Sequence, residues 1–108
     1  PSTGIGEADV AERDVPRTTR LYPNAPNPFN PTTTIRFDVA REGRVELRIY
    51  DITGRPVRTL VDRKLDRRRH LAVWNGLDDA GRRVPSGIYF YRLRAAGFDA
   101  SRKMVVMK

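Results

Sequence analysis

The sequence has no cysteine, a single histidine and no apolar run long enough to cross a bilayer. Without cysteine there is no disulfide, no thiolate zinc site and no cysteine nucleophile, so the fold must rest on its apolar core. Without a stretch of about 18 uncharged apolar residues no helix spans a membrane, and the first 20 residues lack the apolar centre of a signal peptide. The one histidine, His70, sits inside an apolar strand pattern, while Ser2, Ser86 and Ser101 are expected in a tail or turns. A hydroxyl nucleophile needs a base beside it, so catalysis is not expected and His70 is read as a packed or rim residue. No helical period occurs anywhere. No cofactor is expected either.

What is present is charge, and it is uneven. Of 21 basic and 13 acidic residues, which give a net charge of +8, residues 1–20 hold three arginines and four carboxylates, a net of −1 that leaves +9 for the rest. Eighteen of the basic residues are arginine, a bias that favours paired contacts with carboxylates or phosphates. The chain of 108 residues has room for one domain. It begins at Pro1, as expected of a processed product or a piece of something longer.

Residues 1–20 carry no aromatic and only scattered Ile5, Val10 and Val15, so they read as a linker or as an arm that a partner holds. Residues 21–108 read as the domain. From Thr33 the sequence alternates, with Ile35, Phe37 and Val39 on one face, then Val45, Leu47 and Ile49 after the turn "REGR". "DITG" (51–54) closes a second hairpin, and Gly54 supplies the positive φ such a loop needs. A third strand is expected over 55–61, where Pro56 suits an edge, followed by a charged connection "DRKLDRRR". In "HLAVW" (70–74) His70, Ala72 and Trp74 share one face and Leu71 and Val73 the other, both expected to be at least partly covered. A turn-rich stretch with Gly76, Gly81, Pro85 and Gly87 precedes Tyr89, Tyr91 and Leu93, and a last strand follows Ala96-Gly97. Six or seven short strands without a helix indicate an all-β antiparallel sandwich.

Just before the first alternating strand lies "YPNAPNPFNP" (22–31), with four prolines in ten positions. Residues before proline are pushed toward extended conformations, so this segment is expected to arrive straightened, with Phe29 anchoring it and its asparagines capping local turns. Four segments in order, "LYPNAPNPFNPTTTIRF", "VELRIYDITGRPVRTL", "WNGLDDAGRRVPSGIYFYRL" and "RKMVVMK", resemble the C-terminal immunoglobulin-like domain that closes many large secreted bacterial proteins. That class is related to the hook-capping Ig-like domain and to the type A sorting domains of type IX secretion. The resemblance covers residues 21–108. It implies a sandwich of about seven strands behind an upstream passenger, read by an export apparatus and located outside the cell or at its surface. By position it places family motifs at Asn27, Pro28, Asn30 and Pro31, at Trp74 and Gly76, at Gly87 and Tyr89, and at Lys103 to Lys108.

Asn75, Asp78 and Asp79 ahead of Gly81 offer oxygen ligands to calcium, but a turn held by side-chain to backbone bonds explains them more simply. "RRR" (67–69) with Arg82, Arg83, Arg92 and Arg94 offers phosphate contacts, yet no aromatic platform interleaves them, so nucleic acid is disfavoured against a solvated basic face. An anionic cell-surface polymer fits an exported domain better. Three functions therefore stand as expectations: a sorting or anchoring module; a structural subunit of a filament or surface layer whose arm adds a strand to a neighbouring copy; and a basic polyanion-binding domain.

Overall fold

Among the described residues seven antiparallel strands build the fold, and their limits follow the alternation of apolar side chains. The computed structural model describes residues 15–108. The strands are β1 (Arg20–Leu21), β2 (Thr33–Asp38), β3 (Gly43–Asp51), β4 (Pro56–Leu65), β5 (Arg69–Trp74), β6 (Gly87–Ala95) and β7 (Phe98–Val106). They form a three-stranded sheet in the order β1-β2-β5 and a four-stranded sheet in the order β4-β3-β6-β7. This is the sandwich that the alternation predicts.

Between the sheets lie the side chains at every second position. Ile35, Phe37, Val45, Leu47, Ile49, Trp74, Tyr91, Leu93 and Met104 are all buried. Because the period of a strand is two, the same register that buries these residues turns Arg44, Glu46, Arg48, Arg92 and Arg94 to the opposite face. There the charges pair across strands: Arg92 bonds both oxygens of Asp99, which holds that carboxyl below its usual range. Arg44 and Arg48 likewise share Asp62 and Glu46. Such exposed pairs contribute about 0–1 kcal/mol each, far less than the core.

Two of the turns are built on aspartates. Asp51 Oδ1 accepts from the Thr53 and Arg55 amides and from the Thr53 hydroxyl, and Gly54 takes φ 87°. Asp78 Oδ1 accepts from the amides of Ala80 and Arg82 while Gly81 takes φ 82°. Asp79 Oδ1 accepts from the Thr59 amide. These carboxylates are engaged with backbone, as the simpler account of the acidic turn requires.

Three expectations about local structure need correction. The third strand does not end at Val61 but runs to Leu65, because Leu65 is buried on the same face two strand periods beyond Val61 and Asp62 and Lys64 lie opposite Glu46 and Arg44. The charged connection shrinks accordingly to 66–68. Second, Leu71 and Val73 are not covered: they are 68% and 60% exposed, since β5 is an edge strand and among the described residues no second layer lies on the outer face of its sheet. Third, the proline-rich segment is not straight. It bends at residues 26–28 and 30–31 because it must reach both sheets, bridging Thr34 through Ala25 and Val106 through Phe29.

Candidate functional site at the proline-rich segment

The motif residues gather where the chain arrives at the sandwich, and each step of that arrival has its own partner. Residues 15–19 already touch the domain: Arg67 Nε donates to the Pro16 carbonyl and the Ala40 amide donates to Thr19 Oγ1. Arg20 and Leu21 then pair with Asp38 and Phe37 on β2. Arg102 Nε donates to the Leu21 carbonyl and Tyr91 Oη to the Tyr22 carbonyl, so two strands of the other sheet grip the same turn of chain. Tyr22 Oη donates to Asp38 Oδ2 at 2.6 Å, with the Arg36 guanidinium over its ring.

Asn24, Thr33 and Asp38 are the buried polar residues of the described domain, and all three hold this segment. Asn24 Nδ2 donates to Thr33 Oγ1, which in turn donates to the Pro26 carbonyl, so the groups left unpaired by proline-rich backbone are satisfied from side chains. The bonds preceding Pro26, Pro28 and Pro31 are cis.

Beyond Pro26 the segment lies along the last strand. The Val105 amide donates to Asn27 Oδ1 at 2.9 Å, the Phe29 amide donates to the Val105 carbonyl, and the Met107 amide donates to the Phe29 carbonyl. Asn27 therefore does not cap a local turn as expected; it reaches a strand 78 residues away in sequence. The Phe29 ring is buried against Trp74, with centroids 5.4 Å apart, and Trp74 meets Tyr89 at 5.7 Å. Those offset and edge contacts add to the area that the rings bury. Trp74 Nε1 donates to the Leu77 carbonyl and Tyr89 Oη to the Pro85 carbonyl, so each ring also has its polar end paired. Burial pushes the Tyr89 and Tyr91 phenols above their usual range, and for Tyr22 the hydrogen bond to Asp38 is the main cause of the same rise.

The remaining motif residues divide between this end and elsewhere. Gly76 takes φ 76° and its carbonyl accepts from the Val84 amide, and a Cβ added there would lie 3.6 Å from the Pro31 carbonyl oxygen, so the Trp-x-Gly turn abuts the proline segment. Pro28, Asn30 and Pro31 are exposed around Phe29, and Gly87 opens β6 opposite Val106. Lys103 stands apart on the outer face of the four-stranded sheet, opposite Phe90, and Gly54 and Gly81 serve their own turns. Of the arm residues, Ile5 and Val10 lie outside the described residues and Val15 is half-buried. His70 stacks on Phe37 and bonds the Asp66 carbonyl, a rim position. Composition offered no signal for the grip of Arg102 and Tyr91, because it joins backbone carbonyls to residues far along the chain.

A segment laced to both sheets from one side, an aromatic cluster at its end and a terminal strand held beside it make a recognisable arrangement. The family model for the secretion system C-terminal sorting domain matches residues 20–107. Among solved structures, dimeric latent PorU from Porphyromonas gingivalis is similar, with 25% identity and a TM-score of 0.61 over 82% of this chain and 9% of that one. PorZ of the same organism, described as an essential bacterial surface component of the type-IX secretion system, shares the fold at 21% identity and a TM-score of 0.58, over 82% of this chain and 11% of its own. This chain thus spans about a tenth of the length of either protein. No curated protein matches it. With the family pattern running from β1 to the end of β7, the chain belongs to the secretion system C-terminal sorting domains, modules of proteins exported to the cell surface or beyond.

Proposed function

We propose that this chain is the sorting and anchoring module of a larger passenger, presented to a type IX export apparatus by the end of the sandwich where Asn27 and Phe29 meet β7. The observation that carries this reading is the clamp itself. The Asn27 side chain and the Phe29 backbone hold Val105 to Met107, so the passenger side of the domain and its last strand form one continuous surface. A receptor that binds there senses whether the domain has folded, because the two halves of the surface come from opposite ends of the chain. The module does so without chemistry of its own; the aspartates and the histidine are engaged in turns and packing.

The test is a fusion of all 108 residues behind a secreted reporter in a host with type IX secretion. Surface delivery is expected for the parent fusion and for Lys64→Ala on the exposed outer strand, and loss of delivery for Asn27→Ala combined with Phe29→Ala. Retention of the parent fusion in the periplasm refutes the reading.

A further inference from the structure

Three of the four sheet edges carry a device that discourages another strand from pairing, and the fourth does not. β1 is only two residues long. β4 starts at Pro56, breaks register twice against β3 and carries Asp62, Arg63 and Lys64 in succession. β7 exposes Arg102 and Lys103, and Phe29 is already paired with it near its end. Short strands, proline, irregular register, charge and covering chain are the recognised ways of blunting an edge.

β5 has none of them across its centre. It pairs with β2 through six consecutive residues without a register shift, it contains no proline, and its middle reads Leu-Ala-Val. Among the described residues no strand pairs with its other side. Alternate residues of an antiparallel edge turn their N–H and C=O groups outward. Here that edge coincides with Leu71 and Val73, two of the most exposed large apolar side chains of the domain.

We propose that a second copy of this chain pairs antiparallel with β5 about a two-fold axis through Ala72, joining two three-stranded sheets into one of six strands. The pattern selects the axis. Residues directly opposite in an antiparallel pair share a face, so the axis must pass through a residue, and the choice of residue sets every contact. An axis at Leu71 sets Arg69 against Val73, and one at Val73 sets Leu71 against Asn75. An axis at Ala72 pairs Leu71 with Val73 of the other copy twice over, gathering four exposed apolar side chains into one patch. Across the sheet that patch is flanked by Thr34 and Arg36, the β2 neighbours of Val73 and Leu71. The small Ala72 occupies the crowded centre.

The pattern supports a copy as the occupant, because Leu71 and Val73 lie symmetrically about Ala72 and so supply both halves of the patch. Arg67, Arg68 and Arg69 stand at the start of β5. Antiparallel pairing keeps the arginine runs of the two copies at opposite ends of the joined strands, whereas a parallel pair would stack like charge on like.

The experiment measures the mass of the 108-residue chain by light scattering as its concentration is raised from about 10 µM to about 1 mM. A doubling of mass is expected, with Val73→Lys weakening association at least about tenfold while its thermal melt stays unchanged, because the side chain is already in solvent. Register is read separately. The chain has no native cysteine, and opposed strand positions lie within disulfide reach. A mixture of Leu71→Cys and Val73→Cys chains is expected to cross-link to each other in excess over either variant with itself. A chain that stays monomeric over the whole range overturns the proposal, including a monomer whose β5 amides are protected from exchange by its own residues. So does a dimer indifferent to Val73→Lys, or cross-links without preference for the mixed pair.

Discussion

Replacing Phe29 by alanine tests whether the proline-rich segment is held by its aromatic anchor or merely lies against the sandwich. Phe29 is 2% exposed and packs on Trp74. Transfer of its ring to water costs about 1.5–3 kcal/mol, and the cavity left beside Trp74 and Val106 raises the total to about 3–5 kcal/mol, since the surrounding sheets relax only in part. A domain of this size has about 5–15 kcal/mol in all. The variant is therefore expected to lose a large share of its stability and at least about 12 °C in melting temperature. Urea unfolding followed by the fluorescence of Trp74, the sole tryptophan and a direct neighbour of the ring, reads the change. Met107→Ala is the control: Met107 lies at the same end but is 53% exposed, so its loss should stay within about 0.5 kcal/mol. Hydrogen exchange adds a second readout, because the Met107 amide donates to the Phe29 carbonyl and should lose protection in the Phe29 variant alone. A loss below about 1 kcal/mol for Phe29→Ala, equal to that of the control, would refute the anchoring argument.

Gly54→Ala should cost about 1 kcal/mol, because φ 87° is unfavourable to any Cβ, although nothing lies within 4 Å of it. Gly43→Ala, also in open space but without such a φ, should be neutral or stabilising by up to about 1 kcal/mol, and equal effects at the two sites in urea titrations would defeat the reasoning. The phenols of Tyr22, Tyr89 and Tyr91 hold their protons more tightly folded than unfolded, so the stability they contribute is complete below about pH 10 and is lost as the pH rises through their raised folded values. The urea midpoint should thus fall above about pH 10 in step with delayed tyrosine ionisation at 295 nm, and ionisation of all tyrosines near pH 10 with no shift in midpoint would contradict it.

The strands were legible because each states its own rule. Ile35, Phe37, Leu47, Ile49, Tyr89, Tyr91 and Leu93 alternate with polar neighbours, and a single buried face is enough to impose that period wherever the strand ends up. Asp51 and Gly54 determine their turn over five residues, so it too could be read locally. The end of β4 was missed because Asp62, Arg63 and Lys64 mask the alternation of Val61 and Leu65, and an edge strand tolerates charge that an inner strand would not. The exposure of Leu71 and Val73 was missed for the converse reason: an apolar side chain records what it tolerates, and which sheet lacks a second layer depends on the topology.

By itself the sequence determined the class of fold, the alternation of the longer strands, the Asp51 turn and, through four ordered motifs, the family. Those features depend on interactions within a few residues, or on a pattern that every strand repeats. The tertiary structure alone decided that the proline-rich segment bends to reach both sheets, that Asn27 reaches Val105 and Arg102 reaches Leu21, and that among the described residues β5 is an edge strand. These are contacts between backbone groups and residues up to 81 positions apart. A backbone carbonyl has no letter of its own in the sequence, so which side chain finds it is settled only when the sheets have taken their order.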